Sequence, residues 1–261
     1  MSPKKALGQH FLFDPGILSR IAELAEIAPG ETVLEIGPGP GGLTRELLKR
    51  SDRVIAIEKD RDLLPDLRER FPTLLLAAGD ALELDWHQLT GPGPVRIVGN
   101  IPYNITSPLL EKALTPPRPR SVVFLVQKEV AERVAAPPGG GEYGALSVGV
   151  QAVAAVERKF TVPAGAFRPP PKVDSAVLRL RPLAEPLLPD SAVADFRRFT
   201  VGLFGFRRKQ LLRGLRELTK AAPEQAGAWI AAAGLEETQR PQELSPRDFA
   251  RLFRTVYPPG A

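Results

Sequence analysis

Three stretches of the chain hold residue types whose spacing suits a chemical task. In "EIGPGPGG", residues 35 to 42, Gly37, Gly39 and Gly42 keep the pattern G-x-G-x-x-G directly after an apolar run. Glycines so placed let a strand turn into a helix while the backbone comes close to a ligand. Glu35 would bring a negative charge to the mouth of that loop, which opposes a pyrophosphate but suits a ligand carrying an ammonium and a sulfonium. S-adenosylmethionine carries both. Glu58 closes the next apolar run, about twenty residues on, where a carboxylate accepts hydrogen bonds from both hydroxyls of a ribose. Asp80, in "AAGDAL", closes the third and offers an acceptor to an adenine amino group. Any one of these acids also reads as a helix cap or a solvated loop residue. Three after consecutive strands read as one site.

The third stretch is "VGNIPYNIT", residues 98 to 106. An adenine exocyclic amine is a poor nucleophile because its lone pair is delocalised into the ring. The side-chain oxygen of Asn100 and the backbone carbonyl of Ile101 can each take one N–H, holding the nitrogen pyramidal with its lone pair aimed at a methyl donor. Tyr103 can stack on the face of a base turned out of its helix or loop. Structural readings stand beside these: Asn100 as the cap of the next helix, and Pro102 as the end of a strand. No general base is needed, since the proton can leave to water once nitrogen carries the new bond.

Positioning these residues takes a particular order of elements. From residue 33, "VLEIG", "RVIAIE", "LLLAAGD", "VRIVGN" and "SVVFLVQ" alternate with amphipathic segments. Such alternation predicts a parallel sheet wound on both faces by helices, an α/β fold of Rossmann-like type. "GALSVGVQAVAAV" and "SAVLRL" can add a helix and final strands. The proline-rich "RPLAEPLLPDS", residues 181 to 191, reads as a linker and sets a domain boundary near residue 185. Residues 1–185 are then the catalytic domain and residues 186–261 a second domain read as helices only. There "FRRFTVGLFGFRRKQLLRGLREL" spaces Phe and Leu at helical intervals, with Arg207, Arg208, Lys209, Arg213 and Arg216 beyond them as candidate phosphate contacts. Lys4 and Lys5 can add to that set. The chain has no cysteine, two separated histidines and a net charge of +5. Disulfides, thiolate metal sites and cysteine nucleophiles are thereby excluded, no metal is expected, and a polyanionic partner is favoured. No apolar stretch is long enough for a membrane span or a signal peptide, so a soluble, cytoplasmic protein is expected. A monomer is the working expectation, which the sequence itself does not decide.

The sequence resembles the ribosomal RNA adenine dimethyltransferases, most closely the small-subunit type (KsgA or RsmA). "KKALGQHFL", "VLEIGPGPGGLT", "VIAIEKD", "GDAL", "GNIPYNIT", "QKEVAERV", "VPAGAFRPPPKVDSAV" and "LFGFRRKQL" carry the likeness over nearly the whole chain. The resemblance implies a class I S-adenosylmethionine-dependent methyltransferase fold of seven strands, the last hairpin antiparallel, and makes the small all-α C-terminal domain the RNA- and ribosome-binding domain. It implies two-fold methylation of two adjacent adenosines near the 3′ end of 16S rRNA, in the immature 30S subunit, as part of ribosome biogenesis. By motif position it implies cofactor contacts at His10, Leu12, Gly37, Glu58, Asp80 and Asn100, to which the residue-level reading adds Glu35 and Gly39. Relatives usually have "GQNFL" where this chain has "GQHFL", with His10 in place of the asparagine. Phe167, in "AFRPPPK", becomes a second stacking face opposite Tyr103, and His87 is structural. Rival readings are a large-subunit RNA methyltransferase, an assembly factor whose binding matters more than its catalysis, and a DNA adenine methyltransferase.

Overall fold

The computed structural model describes residues 8–258. In chain order the elements are β1 (Phe11–Leu12), α1 (Pro15–Leu24), β2 (Thr32–Ile36), α2 (Gly42–Leu48), β3 (Val54–Glu58), α3 (Leu64–Arg70), β4 (Leu75–Ala78), α4 (Trp86–Thr90), β5 (Val95–Asn100), α5 (Thr106–Ala113) and β6 (Ser121–Gln127). They continue with α6 (Lys128–Ala135), α7 (Ala145–Gln151), β7 (Ala154–Val162), β8 (Phe167–Arg168), β9 (Ser175–Pro182), α8 (Val193–Phe204), α9 (Leu211–Thr219), α10 (Pro223–Ala232) and α11 (Pro246–Val256).

Seven strands form one sheet in the order β4-β3-β2-β5-β6-β9-β7. The five from β4 to β6 are mutually parallel, and β9 runs antiparallel to β6. The parallel strands β2 and β3 are buried along their whole length, as helices on both faces require. The chain winds outward through β2, β3 and β4, then returns to lay β5 on the other side of β2. That reversal opens a crevice beyond the carboxyl ends of β2 and β5, where open α/β sheets bind ligands. Gly99 in β5 sits opposite Ile36 in β2. A Cβ there would come within 2.7 Å of the Ile36 carbonyl oxygen, so the two strands approach this closely only with glycine at that position.

A second sheet of two strands pairs β1 with β8, Phe11 opposite Arg168 and Leu12 opposite Phe167. Leu18, Ile21 and Ala22 of α1 pack with Leu43 and Leu47 of α2 and with Phe167 in one apolar cluster beside the sheet. The helix α1 starts on Asp14, whose side chain accepts from the Ile17 N–H at 2.9 Å, with Pro15 in its first turn. Arg96 of β5 clasps Glu31 through two nitrogens, at 2.7 and 3.0 Å, and fixes the amino end of β5 against the turn before β2.

The described residues divide into two compact units, one holding the chain up to Ala131 together with Val156–Pro182, the other Glu132–Ala155 and Leu183 onward. The division at 182/183 falls within the proline-rich segment, and residues 132–155, which include α7, join the C-terminal helices. Within that second unit Phe196, Phe199, Phe253 and Tyr257 meet ring against ring. Tyr143 donates to the Leu244 carbonyl at 2.8 Å, and its burial pushes the phenol well above its usual range. The helical reading of "FRRFTVGLFGFRRKQLL" needs one correction. The helix stops at Phe204, and Arg207, Arg208 and Lys209 are exposed on the turn between α8 and α9. Gly205 offers little helical propensity, and the N–H groups of Arg207 and Lys209 bond three residues back, as in a tight turn.

Candidate active site

A cleft enclosing about 1170 Å³ of space, part of it open to solvent, lies at the carboxyl ends of β2, β3, β4 and β5. Its floor is the glycine loop. Gly37, Gly39 and Gly41 all have positive φ, +69°, +54° and +80°, a region that costs other residues strain. A Cβ on Gly39 would lie 3.1 Å from the Phe11 ring, and one on Gly41 would lie 2.4 Å from Phe71. Gly42, the third glycine of the pattern, begins α2 instead, and a Cβ there would meet Leu18 at 3.1 Å. This is the tight helix packing for which the last glycine of such a loop is needed.

Glu58 ends β3 at the cleft wall. Its Oε2 accepts from the Gly39 N–H at 3.0 Å and its Oε1 from the Asp60 N–H at 2.7 Å. The carboxylate therefore holds the loop in shape while facing the cleft, and burial raises its pKa above the ordinary carboxylate range. Asp80 also lines the cleft. Lys59 donates to it at 2.7 Å and the Leu82 N–H at 2.9 Å, and the lysine's hydrogen bond holds its pKa below the usual value. Asp80 is charged throughout the neutral range.

The far wall is the end of β5. The Asn100 side-chain nitrogen donates to the main-chain carbonyl of His10 at 2.9 Å, so the amide is oriented and its oxygen is the atom left over for another donor. Ile101 donates its N–H to Leu125 at 3.0 Å, which fixes the peptide next to it. Tyr103 shares a hydrogen bond of 2.7 Å with Ser175, and burial raises the phenol's pKa. The His10 ring stacks on Tyr103, centroids 5.7 Å apart and planes 24° from parallel. Its Nδ1 lies 2.8 Å from the Pro169 carbonyl, an acceptor, so Nδ1 carries the hydrogen of that bond. His10, Leu12, Gly37, Glu58, Asp80 and Asn100 thus line one cleft.

The family described as "Ribosomal RNA adenine dimethylase" matches residues 1–256. The chain belongs to the ribosomal RNA adenine dimethylase family. A relative from Phenylobacterium zucineum (strain HLK1), named "Ribosomal RNA small subunit methyltransferase A", is 45% identical over 253 residues, 95% of this chain and 86% of its own. Among solved structures, a dimethyladenosine transferase from Plasmodium falciparum superposes with a TM-score of 0.79 at 28% identity, covering 93% of this chain and 96% of that one. The 23S rRNA methyltransferase ErmE gives a TM-score of 0.73 at 33% identity, over 94% of this chain and 99% of that one. The fold is the class I methyltransferase fold of this family, with the antiparallel β9 and a set of C-terminal helices.

Two residues expected at the adenine dimethylase site lie elsewhere. Glu35 is not at the loop's mouth. It sits inside β2 between Ala56 and Val98, fully buried, with Thr44 donating to its Oε2 at 2.7 Å and its Oε1 left without a partner. Burial pushes its pKa up to about 8, so it is protonated at neutral pH and offers no charge to a sulfonium. Phe167 is 2% exposed, because pairing with Leu12 turns its ring into the apolar cluster under β1. It presents no face to a base. Lys4 and Lys5 lie outside the described residues. Sequence reasoning also passed over Gly41, Ser175 and Pro169, the last two of which hold Tyr103 and His10 from more than seventy residues away along the chain. No local pattern announces such a partner. Among the described residues no cluster of His, Cys, Asp and Glu could hold a metal ion.

Proposed function

We propose that this chain transfers methyl groups from S-adenosylmethionine to the exocyclic amines of two adjacent adenosines near the 3′ end of 16S rRNA, acting in the cytoplasm as a monomer on the immature 30S subunit. The observation that carries this reading is the orientation of Asn100, whose nitrogen donates to the His10 carbonyl and whose oxygen remains as an acceptor for a substrate N–H beside the stacked Tyr103. The residues fit the methyl donor. Gly37 and Gly39 line the cleft with bare backbone at positive φ, Glu58 suits ribose hydroxyls, and Asp80 suits an adenine amino group. His10 and Leu12 close the same cleft. When bound, S-adenosylmethionine supplies an electrophilic methyl carbon on its sulfonium.

The protein's share of the reaction is positioning and hydrogen-bond acceptance. Tyr103 holds the flipped base by stacking, with the phenol anchored on Ser175 and the far side of the ring supported by His10. The Asn100 oxygen and the Ile101 carbonyl each accept one amine N–H, so the nitrogen lone pair points away from both and into the cleft. In-line alignment of this kind is the main source of rate in a displacement that needs no proton abstracted beforehand. Arg207, Arg208 and Lys209, exposed on their turn, supply phosphate contacts from the C-terminal helical domain, and Lys4 and Lys5 extend that set.

Incubating the protein with labelled methyl donor and unmethylated small subunits, then mapping the modified nucleotides, tests the proposal. Label on two neighbouring adenosines of small-subunit RNA is expected. A second reading, a large-subunit substrate, draws on the likeness to the 23S enzyme. Label confined to large subunits would replace the first reading with the second, and no label on either would end both.

A further inference from the structure

We infer that Phe13 and Arg168 form a docking platform for the single-stranded RNA flanking the flipped adenosine, Phe13 stacking on a neighbouring base and Arg168 meeting its phosphate. The inference deepens the proposed rRNA reaction and rests on it. Phe13 follows Phe11 and Leu12, which are 9% and 5% exposed, yet is itself 50% exposed. A phenylalanine turned outward at this point leaves apolar area in water that inward packing would have removed. The Arg168 guanidinium sits over that ring at 5.7 Å from its centroid and is itself exposed. A half-open aromatic ring beside a guanidinium is the pairing that single-stranded nucleic acid uses, one group for the base and one for the backbone.

The place of the pair argues for the same partner. Leu12 lines the cleft and Phe13 is the next residue, one Cα step of ~3.8 Å away. Arg168 lies opposite Phe11 in the β1–β8 ladder, and the following residue, Pro169, holds His10 against Tyr103. A base drawn into the cleft must part from its strand neighbours, which then lie at this rim. Beyond the prolines that follow, Lys172 and Val173 are exposed as well. The nearby acids are engaged: Asp14 accepts from the Ile17 N–H at 2.9 Å and Asp174 from the Ala164 N–H at 3.0 Å. Ladder pairing and consecutive prolines hold the platform in place, which keeps the ordering cost of binding low.

The test compares wild type, Phe13→Ala, Phe13→Trp and Arg168→Gln for methyl transfer to unmethylated small subunits, with S-adenosylmethionine affinity and thermal midpoint measured in parallel. Phe13→Ala should raise KM for the subunits roughly 5- to 100-fold, the range for one lost base stack. Its turnover rate and methyl-donor affinity should stay within two-fold. Phe13→Trp should keep the wild-type KM. Arg168→Gln should raise KM several-fold and lower the slope of log affinity against log salt by about 0.7, one phosphate on a single strand. An unchanged KM in Phe13→Ala overturns the inference. So does a loss of donor affinity or thermal midpoint that accounts for the whole defect. If wild type itself labels no small-subunit RNA, it is the reaction assignment that fails, and the platform falls with it.

Discussion

At the scale of single residues, the site depends on which atoms are already spent. Asn100→Ala removes the substrate acceptor while leaving the cleft walls in place, and loss of one such group in a transition state costs about 3 kcal/mol. Turnover should therefore drop by roughly 100-fold or more with subunit binding retained, as read by single-turnover methylation and filter binding. The same variant separates catalysis from an assembly role, which binding alone would preserve. His10→Asn keeps a side chain able to donate to Pro169 but loses the ring stacked on Tyr103, so KM for RNA should rise by less than about ten-fold while turnover changes little. Glu35 makes a prediction about stability. With its folded pKa near 8 and a reference value of 4.5, both states hold the proton below pH 4.5 and the group costs nothing there. Between those limits only the unfolded chain releases the proton, so stability falls as pH rises, by on the order of a few kcal/mol, and the loss is complete above pH 8. Glu35→Gln keeps the acceptor for Thr44 without this penalty. Its thermal midpoint should gain on wild type steadily from pH 5 to pH 8, and a constant difference across that range would refute the assignment.

At the scale of elements, what was legible in the sequence follows from range. The five parallel strands and the glycine loop were readable because β-branched runs, glycine spacing and acids at strand ends are all local signals. The ribbon of β1 and β8 was not, since two residues have no period and their partnership spans more than 150 positions. Missing that ribbon is what misplaced Phe167, whose motif position in the family resemblance suggested display and whose ladder partner dictates burial. Glu35 was misplaced for a related reason. Its charge suggested the loop's mouth, while its register between Ala56 and Val98 puts it inside the sheet. Gly39→Ala tests the loop as an element: φ of +54° and a Cβ 3.1 Å from Phe11 should cost about 1 kcal/mol or more in stability. Calorimetry should find S-adenosylmethionine binding weakened roughly ten-fold, because the added methyl presses on Phe11, which lines the same cleft, and strains the loop.

At the scale of the whole molecule, charge and connectivity matter more than any one contact. The excess of five positive charges is modest, and the three cations on the α8–α9 turn concentrate part of it on one exposed loop. Replacing Arg207, Arg208 and Lys209 together by glutamine should flatten the salt dependence of RNA affinity by about 2 in log–log slope, with methyl-donor affinity unchanged. The anchor on Asn100 has a consequence of its own. It is the peptide oxygen of residue 10, not the imidazole, so no replacement of that side chain can cut the tether; only removing the strap of polypeptide that carries it will. Every residue type at position 10 supplies that same carbonyl, so the orientation of the catalytic amide is insensitive to the side chain beside it and is set by the path of the backbone alone.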